Sequence, residues 1–419
     1  MSEPPVAQAR LPQGSFIARP DLQRLLAVLD GEGETARVVG GAVRNALLGL
    51  QPGDIDVATT ALPQEVTRRA RAAGLRSVPT GIEHGTVTVI VEGTPFEVTT
   101  LREDVDTDGR RATVVFGRDF SHDARRRDFT MNALLCDRDG VVTDHVGGLA
   151  DLAAQRVRFI GDPQTRIRED YLRILRLFRF HADYGAGPLD GAAVEAAVRL
   201  RSGLERLSRE RIGAEFCKLL VSRRAAETVA EVAEAGFADR ILAGVADTRA
   251  FARHVDAFPA ADAASRLAAL AVRSADDAPR LRERLRLSNA QTLFLERAGR
   301  SLEALYATMP SPDERLLRRL AFRLGAGAVR DGLAITAARA GIDPRLPVAS
   351  AHAALDAASR QPPFGGARLA ARGIPAGPTM GAILGRATES WLDAGCPMDD
   401  AAVEGILDAV LAEAPVAEA

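Results

Sequence analysis

The stretch "VVGGAVRNALLGLQPGDIDVATT", residues 38–60, decides the fold. Its β-branched start predicts a strand, and the Gly40–Gly41 pair ends it. "AVRNALLGL" then reads as a helix, and "DIDVATT" as the next strand. Two glycines between a strand and a helix let backbone N–H groups and the helix N-terminus approach an anion. The pattern is G-G-x-V-R, so it matches neither the dinucleotide-binding G-x-G-x-x-G nor a P-loop with its lysine. Asp54 and Asp56 give the turn its meaning. Residues two apart on a strand share a side, so these carboxylates are expected to converge while Ile55 and Val57 face the core. Hard oxygen donors of this kind suit Mg²⁺.

A two-metal phosphoryl or nucleotidyl transfer needs a further carboxylate. Glu97 in "FEVTTLR" is the first candidate and Asp128 in "RRRDFTMNAL" the second. Asp128 has two other possible roles, orienting arginines or capping the following helix.

Working outward, "DLQRLLAVLD" predicts a short helix after a Pro-containing tail, and "PQEVTRRARAAG" a helix opening on Pro63. "HGTVTVIVEG" and "TPFEVTTLR" predict a hairpin turning at Gly93 and Pro95. From about residue 150 the pattern becomes helical, with Leu and Ala at helical spacing. The expected fold class is α+β, a small mixed-sheet head followed by an all-helical neck, body and tail. The boundaries drawn are 1–30 for an N-terminal tail and helix, 31–152 for the catalytic head, 153–235 for a helical neck and 236–419 for the body and tail.

"REDYLRILRLFRF", residues 168–180, predicts one helix headed by Asp170, with Arg173, Arg176 and Arg179 winding round it and Leu172, Leu175 and Phe178 as anchors. Residues 156–180 hold seven arginines against three acids, a basic patch in a chain of net charge -2. That net charge excludes nucleic-acid binding through overall charge and leaves local patches as the means. Cys136, Cys217 and Cys396 lack metal or disulfide spacing and read as free thiols. The six histidines are scattered; His122–Asp123 has no companion ligands, and His84 reads as structural. No run of roughly 18 apolar residues suggests a membrane span, and the N-terminus lacks a signal-peptide pattern, so a cytoplasmic location is expected.

Taken together, "VGGAVRNALLG…GDIDVATT", "HGTVTV", "EVTTLR", "RRRDFTMNAL" and "REDYLRILRLFRF" resemble the class II, bacterial-type tRNA nucleotidyltransferases and their poly(A) polymerase relatives, within the DNA polymerase β-like superfamily. The likeness covers roughly residues 35–220. It implies that Gly41, Arg44 and Arg127 contact a nucleoside triphosphate, that Asp54 and Asp56 hold Mg²⁺, and that Asp170, Arg173, Arg176 and Arg179 line the nucleotide pocket. It also implies transfer of CMP and AMP from CTP and ATP to the 3′ end of tRNA. An A-adding enzyme or a poly(A) polymerase is the alternative within the same chemistry. From another class, the alternative is a non-catalytic RNA-binding protein with a retained fold. One departure from the family pattern is Asn45, where an Asp is usual. The irregular, Asp- and Gly-rich segment 101–120 reads as a mobile surface loop, which within this family favours enzymes able to add A. The sequence gives no indication of oligomeric state.

Adenine and cytosine each offer an amino donor beside a ring-nitrogen acceptor, and uracil and guanine the reverse. Asp170 accepting and Arg173 donating would therefore admit ATP and CTP and reject UTP and GTP, because a wrong base leaves buried polar groups unpaired. Arg176 and Arg179, rotated further round the helix, suit phosphate or sugar.

Overall fold

The computed structural model describes residues 6–413 except 82–84, 106–112, 307 and 309–311. His84, the centre of the 101–120 segment and the last six residues lie outside the described residues. Two compact units divide the chain, residues 1–207 and 208–419.

The first unit is built on an eight-stranded mixed sheet. Its strands are β1 (Ala7–Arg10), β2 (Ala36–Val39), β3 (Asp56–Thr59), β4 (Arg76–Gly81), β5 (Thr86–Val91), β6 (Thr94–Thr100), β9 (Leu135–Cys136) and β10 (Val141–Asp144), in the spatial order β1-β10-β9-β2-β3-β6-β5-β4. A separate two-stranded ribbon pairs β7 (Arg102–Val105) with β8 (Thr113–Phe116). Segment 101–120 therefore contains a paired ribbon where irregular loop was expected. Its β-branched "TVV" supplies the strand propensity. The Pro-containing tail also differs from expectation, because Ala7–Arg10 pairs antiparallel with Val141–Asp144 as an edge strand.

β5 and β6 form the expected hairpin, and β5 alternates half-buried and buried side chains along "TVTVIV". Val38, Val57, Val98 and Val87 are buried in register on one face of the sheet. Helices α1 (Pro20–Leu29) and α3 (Pro63–Ala72) pack against this part of the sheet. α1 buries Leu22, Leu25, Leu26 and Leu29 at helical spacing, which fixes the face it presents. Both helices open on proline, whose missing N–H costs nothing at the first helical position.

Beyond the sheet come α4 (Phe120–Arg125), α5 (Gly148–Ala153), α6 (Pro163–Glu169), α7 (Arg173–Tyr184) and α8 (Gly191–Arg199), with α2 (Gly41–Leu47) earlier in the chain. The single helix expected over 168–180 is two helices. Asp170 between them has an extended backbone, φ -151° and ψ 107°, and its side chain accepts from Leu172 N at 3.1 Å. A short acidic side chain bonding the local backbone competes with helix continuation, and here it breaks the helix. Leu172, Leu175 and Phe178 are buried, as the apolar stripe predicts.

The second unit is helical throughout its described residues, from Arg209–Leu220 to Asp400–Ala412. One of its cores gathers Leu305, Leu317, Leu333, Leu355 and Trp391. Trp391 is fully buried and donates Nε1 to Pro397 O at 2.8 Å, which satisfies its one polar atom. Among the described residues, no helix is long and apolar enough to cross a membrane. The three cysteines are free, Cys136 and Cys396 buried and Cys217 half-buried.

Candidate active site

The glycine turn sits at the end of β2. Gly40 has φ 72° and ψ -130°, a conformation that a side chain would strain, and it caps α2 without a side-chain bond. A Cβ on Gly40 would lie 3.6 Å from Arg127 Nη1, and one on Gly41 would lie 3.5 Å from Arg44 Nη2. Bare backbone and two guanidinium groups thus meet at one turn, a seat for anionic oxygens.

One strand further on, β3 begins at Asp56, and Asp54 occupies the bend before it. The alternation expected to place both carboxylates on one side of a strand therefore does not apply to Asp54. β3 runs parallel to β6, and this pairing sets Asp56 directly beside Glu97. Neighbouring strands lie roughly 4.8 Å apart, so the two carboxylates share one face at close range. Thr88 of β5 follows in the same row. Asp54, Asp56 and Glu97 are all exposed and line one cleft of about 570 Å³.

Desolvation by the surrounding strands raises the Asp56 pKa above the ordinary carboxylate value. The neighbouring charge of Glu97, and to a lesser extent that of Asp54, pushes the same way, with Arg127 opposing. Among the described residues, no group of three or more His, Cys, Asp or Glu side chains is gathered closely enough to hold an ion as it stands. The register sets Asp56 beside Glu97, Asp54 lines the same mouth, and the mutual repulsion of these carboxylates is the load a cation would relieve.

Asp128 lies elsewhere in the network. It is buried, and its Oδ2 accepts from Arg176 Nε at 2.7 Å and also from Nη2. Its Oδ1 accepts from Phe129 N at 2.8 Å and Asn132 Nδ2 at 3.1 Å. Burial works to raise its pKa, but Arg176 and these bonds outweigh it and hold the carboxyl below the usual range.

Arg127, Arg173 and Arg179 are each held by an acid. Arg127 donates to Asp123 through Nε at 3.2 Å and Nη2 at 3.0 Å, and Arg126 shares that buried carboxylate. Arg173 donates from Nη1 to Glu169 at 2.5 Å and to Arg166 O at 3.0 Å. Arg179 reaches Asp183 at 3.4 Å. The arginines expected along one stripe therefore answer to three different acids, Glu169, Asp128 and Asp183.

Arg44 is only 5% exposed. It donates to Asn132 Oδ1 at 2.5 Å, to Asn45 Oδ1 at 3.1 and 2.9 Å, and to Tyr184 OH at 2.7 Å, with its Cζ 3.8 Å from the Tyr184 ring centroid. Burial pushes its pKa down, yet guanidinium stays charged. Asn45 accepts two of these bonds through Oδ1 and donates Nδ2 to Gln51 O at 2.8 Å, so its amide works as acceptor and donor at once. Arg44, Arg176 and Arg179 lie 5.3, 5.0 and 4.2 Å from the Phe180 ring centroid. Sequence reasoning missed Asp123, Asn132, Glu169, Phe180 and Tyr184. The i, i+4 spacings of Asp123 to Arg127 and Glu169 to Arg173 were the available signal; Tyr184 had none.

Residues 36–158 match the model of the poly A polymerase head domain. Residues 189–248 match a second model, the probable RNA and SrmB-binding site of polymerase A. The head carries the glycine turn, all three clustered carboxylates, Arg127 and Asp128. A mitochondrial CCA tRNA nucleotidyltransferase 1 from Danio rerio is 44% identical over 205 residues, covering 48% of each chain. A CCA-adding enzyme from Leuconostoc citreum is 41% identical over 229 residues, covering 54% of each. The aligned region thus spans about half the length of these curated relatives. Among solved structures, the Bacillus stearothermophilus CCA-adding enzyme in complex with CTP superposes with a TM-score of 0.70 at 25% identity, covering 94% of this chain and 98% of the other. The α+β class, a mixed-sheet head followed by helices, is shared with that enzyme.

Proposed function

We propose that this chain is a template-independent nucleotidyltransferase that adds CMP and AMP, from CTP and ATP, to the 3′ end of tRNA. The observation that carries this reading is the in-register pair of Asp56 and Glu97 beside Asp54, one strand away from the Gly40–Gly41 turn. The activities named for the similar enzymes and the CTP in complex with the neighbouring structure point the same way.

Asp54 and Asp56, with Glu97 as the third carboxylate, would hold Mg²⁺. When bound there, Mg²⁺ supplies positive charge that eases deprotonation of the RNA 3′-hydroxyl and offsets charge developing on the pyrophosphate. The chain's own residues do the rest. The backbone of the glycine turn, Arg44 and Arg127 receive the triphosphate, and Tyr184 and Asn132 keep Arg44 in place. Asp170 accepts from the amino group of adenine or cytosine, and Arg173 donates to the adjacent ring nitrogen. Arg176 and Arg179 face phosphate or sugar. The helical second unit grips tRNA by shape and backbone contacts, which needs no overall positive charge.

The test is incubation of purified protein with tRNA ending before CCA and with each nucleotide in turn. Incorporation from CTP and then ATP is expected. Incorporation of A alone would make it an A-adding enzyme or poly(A) polymerase, and no incorporation would leave a non-catalytic RNA-binding protein.

A further inference from the structure

Among the described residues, the cleft that holds the three carboxylates has one cationic side chain in its lining, Arg19. It precedes α1, outside residues 36–158, and is 40% exposed. None of the arginines at the glycine turn or along α7 lines this cleft. In the sheet order β2-β3-β6, the glycine turn follows β2, whereas Arg19 stands over Phe96 of β6, its Cζ 5.8 Å from the ring centroid. The carboxylates of β3 and β6 thus have an arginine-rich turn on the β2 side and Arg19 against β6.

Arg19 is held in a defined pose. Its Nε and Nη2 donate to the two oxygens of Asp21 at 3.1 and 2.5 Å. Asp21 is itself fixed by Leu22 N at 2.8 Å. Among the described residues, Nη1 takes no partner. A guanidinium gripped along one edge and free along the other is preorganised for a further anion, since its rotamer entropy is already spent.

An in-line transfer brings its two substrates to the carboxylates from opposite sides. One is a triphosphate; the other is a strand whose 3′-hydroxyl reacts and whose last phosphodiester sits one nucleotide back. That phosphodiester must enter a cleft with three carboxylates and needs a local cation. We infer that Arg19 forms a subsite for the last phosphodiester of the RNA acceptor strand, on the side of the carboxylates away from the nucleotide. This inference rests on the nucleotidyltransferase reading.

The experiment uses the full chain and a fluorescent acceptor-stem hairpin ending before CCA. A second hairpin carries a neutral methylphosphonate at its last phosphodiester. Arg19→Ala should weaken hairpin binding and raise its KM about five- to tenfold, lower the salt slope by about one, and leave the KM for CTP within twofold. Arg19→Lys should recover part of the loss. The methylphosphonate should weaken wild-type binding by a similar factor and Arg19→Ala binding no further, the non-additivity of groups in contact. Thermal melts establish that the variants are folded. Multiplying effects, unchanged hairpin affinity in a folded Arg19→Ala, or a rise in the KM for CTP instead would overturn the subsite. If wild type extends the hairpin and only the Arg19 effects are missing, the subsite alone fails; if wild type neither binds nor extends it, the functional reading falls as well.

Discussion

Asp128 and Arg176, 48 positions apart in the chain, form a pair in which the Arg176 Nε lies 2.7 Å from a carboxylate oxygen buried in the first unit. The pair ties the residue after the head's arginine triplet to α7. It also removes Asp128 from the carboxylates of β3 and β6.

Asp128→Ala should therefore act on stability. Removing one partner strands the Arg176 charge and the Asn132 and Phe129 donors, a loss of about 3–5 kcal/mol. Glu97, exposed at the cleft, should behave in the opposite way. Glu97→Gln should leave the melting temperature nearly unchanged and cut nucleotide incorporation about 100-fold or more. Thermal melts beside incorporation assays read both, and the reverse pattern would exchange the two roles.

The raised pKa of Asp56 predicts a cost to stability. Its folded value exceeds its unfolded one, so the native state binds more protons between the two, and stability falls as pH rises through the folded value. Asp56→Asn removes that repulsion. In chelator-treated buffer at pH 7 the variant should be more stable by on the order of 0.5 kcal/mol after solvent screening, while losing incorporation. Below the ordinary carboxylate range the difference should vanish. A variant less stable than wild type at pH 7 would contradict the strain assigned to this cluster.

Base choice gives a third prediction. Arg173 is aimed by Glu169 at 2.5 Å and by Arg166 O at 3.0 Å, and Asp170 sits in the extended break before α7. Asp170→Ala or Arg173→Ala should raise UTP and GTP incorporation relative to CTP and ATP by about 10- to 100-fold. Competition assays with all four nucleotides measure this, and undiminished rejection of UTP would remove the pairing role.

The second unit carries a pH effect of its own. His254 is fully buried, its Nε2 lies 3.3 Å from Ser265 Oγ, and its Nδ1 has no hydrogen-bond partner among the described residues. Burial, reinforced by Arg266, pushes its pKa down to about 4. The unfolded chain thus takes up a proton near pH 6.5 that the fold resists until about 4. Stability present above pH 6.5 is lost on acidification across that window, by up to about 3 kcal/mol. Asp331, bonded to Ser265 and pushed up to about 6 by burial, works in the opposite sense: its contribution is present at low pH and lost as pH rises through 6. Comparing wild type with His254→Gln separates the two. The variant should lose less stability between pH 7 and 4.5, and parallel curves would show that His254 does not titrate there.

The sequence by itself determined the local elements. Gly40–Gly41 marks the turn because only glycine tolerates its backbone. The leucine spacing of α1, the proline start of α3 and the alternation of β5 are each written in adjacent residues. Only the tertiary structure decided which acid joins Asp56. The parallel pairing of β3 and β6 spans about forty residues, and nothing local in "DIDVATT" or "FEVTTLR" specifies its register. The same holds for Asp128 and Arg176, for the edge strand at Ala7–Arg10, and for Arg19 beside the carboxylates. The break at Asp170 escaped the pattern for another reason: apolar periodicity continues across it, and a single side chain bonding Leu172 N stops the helix. Local propensity and periodicity set the elements, whereas register and side-chain competition set the site.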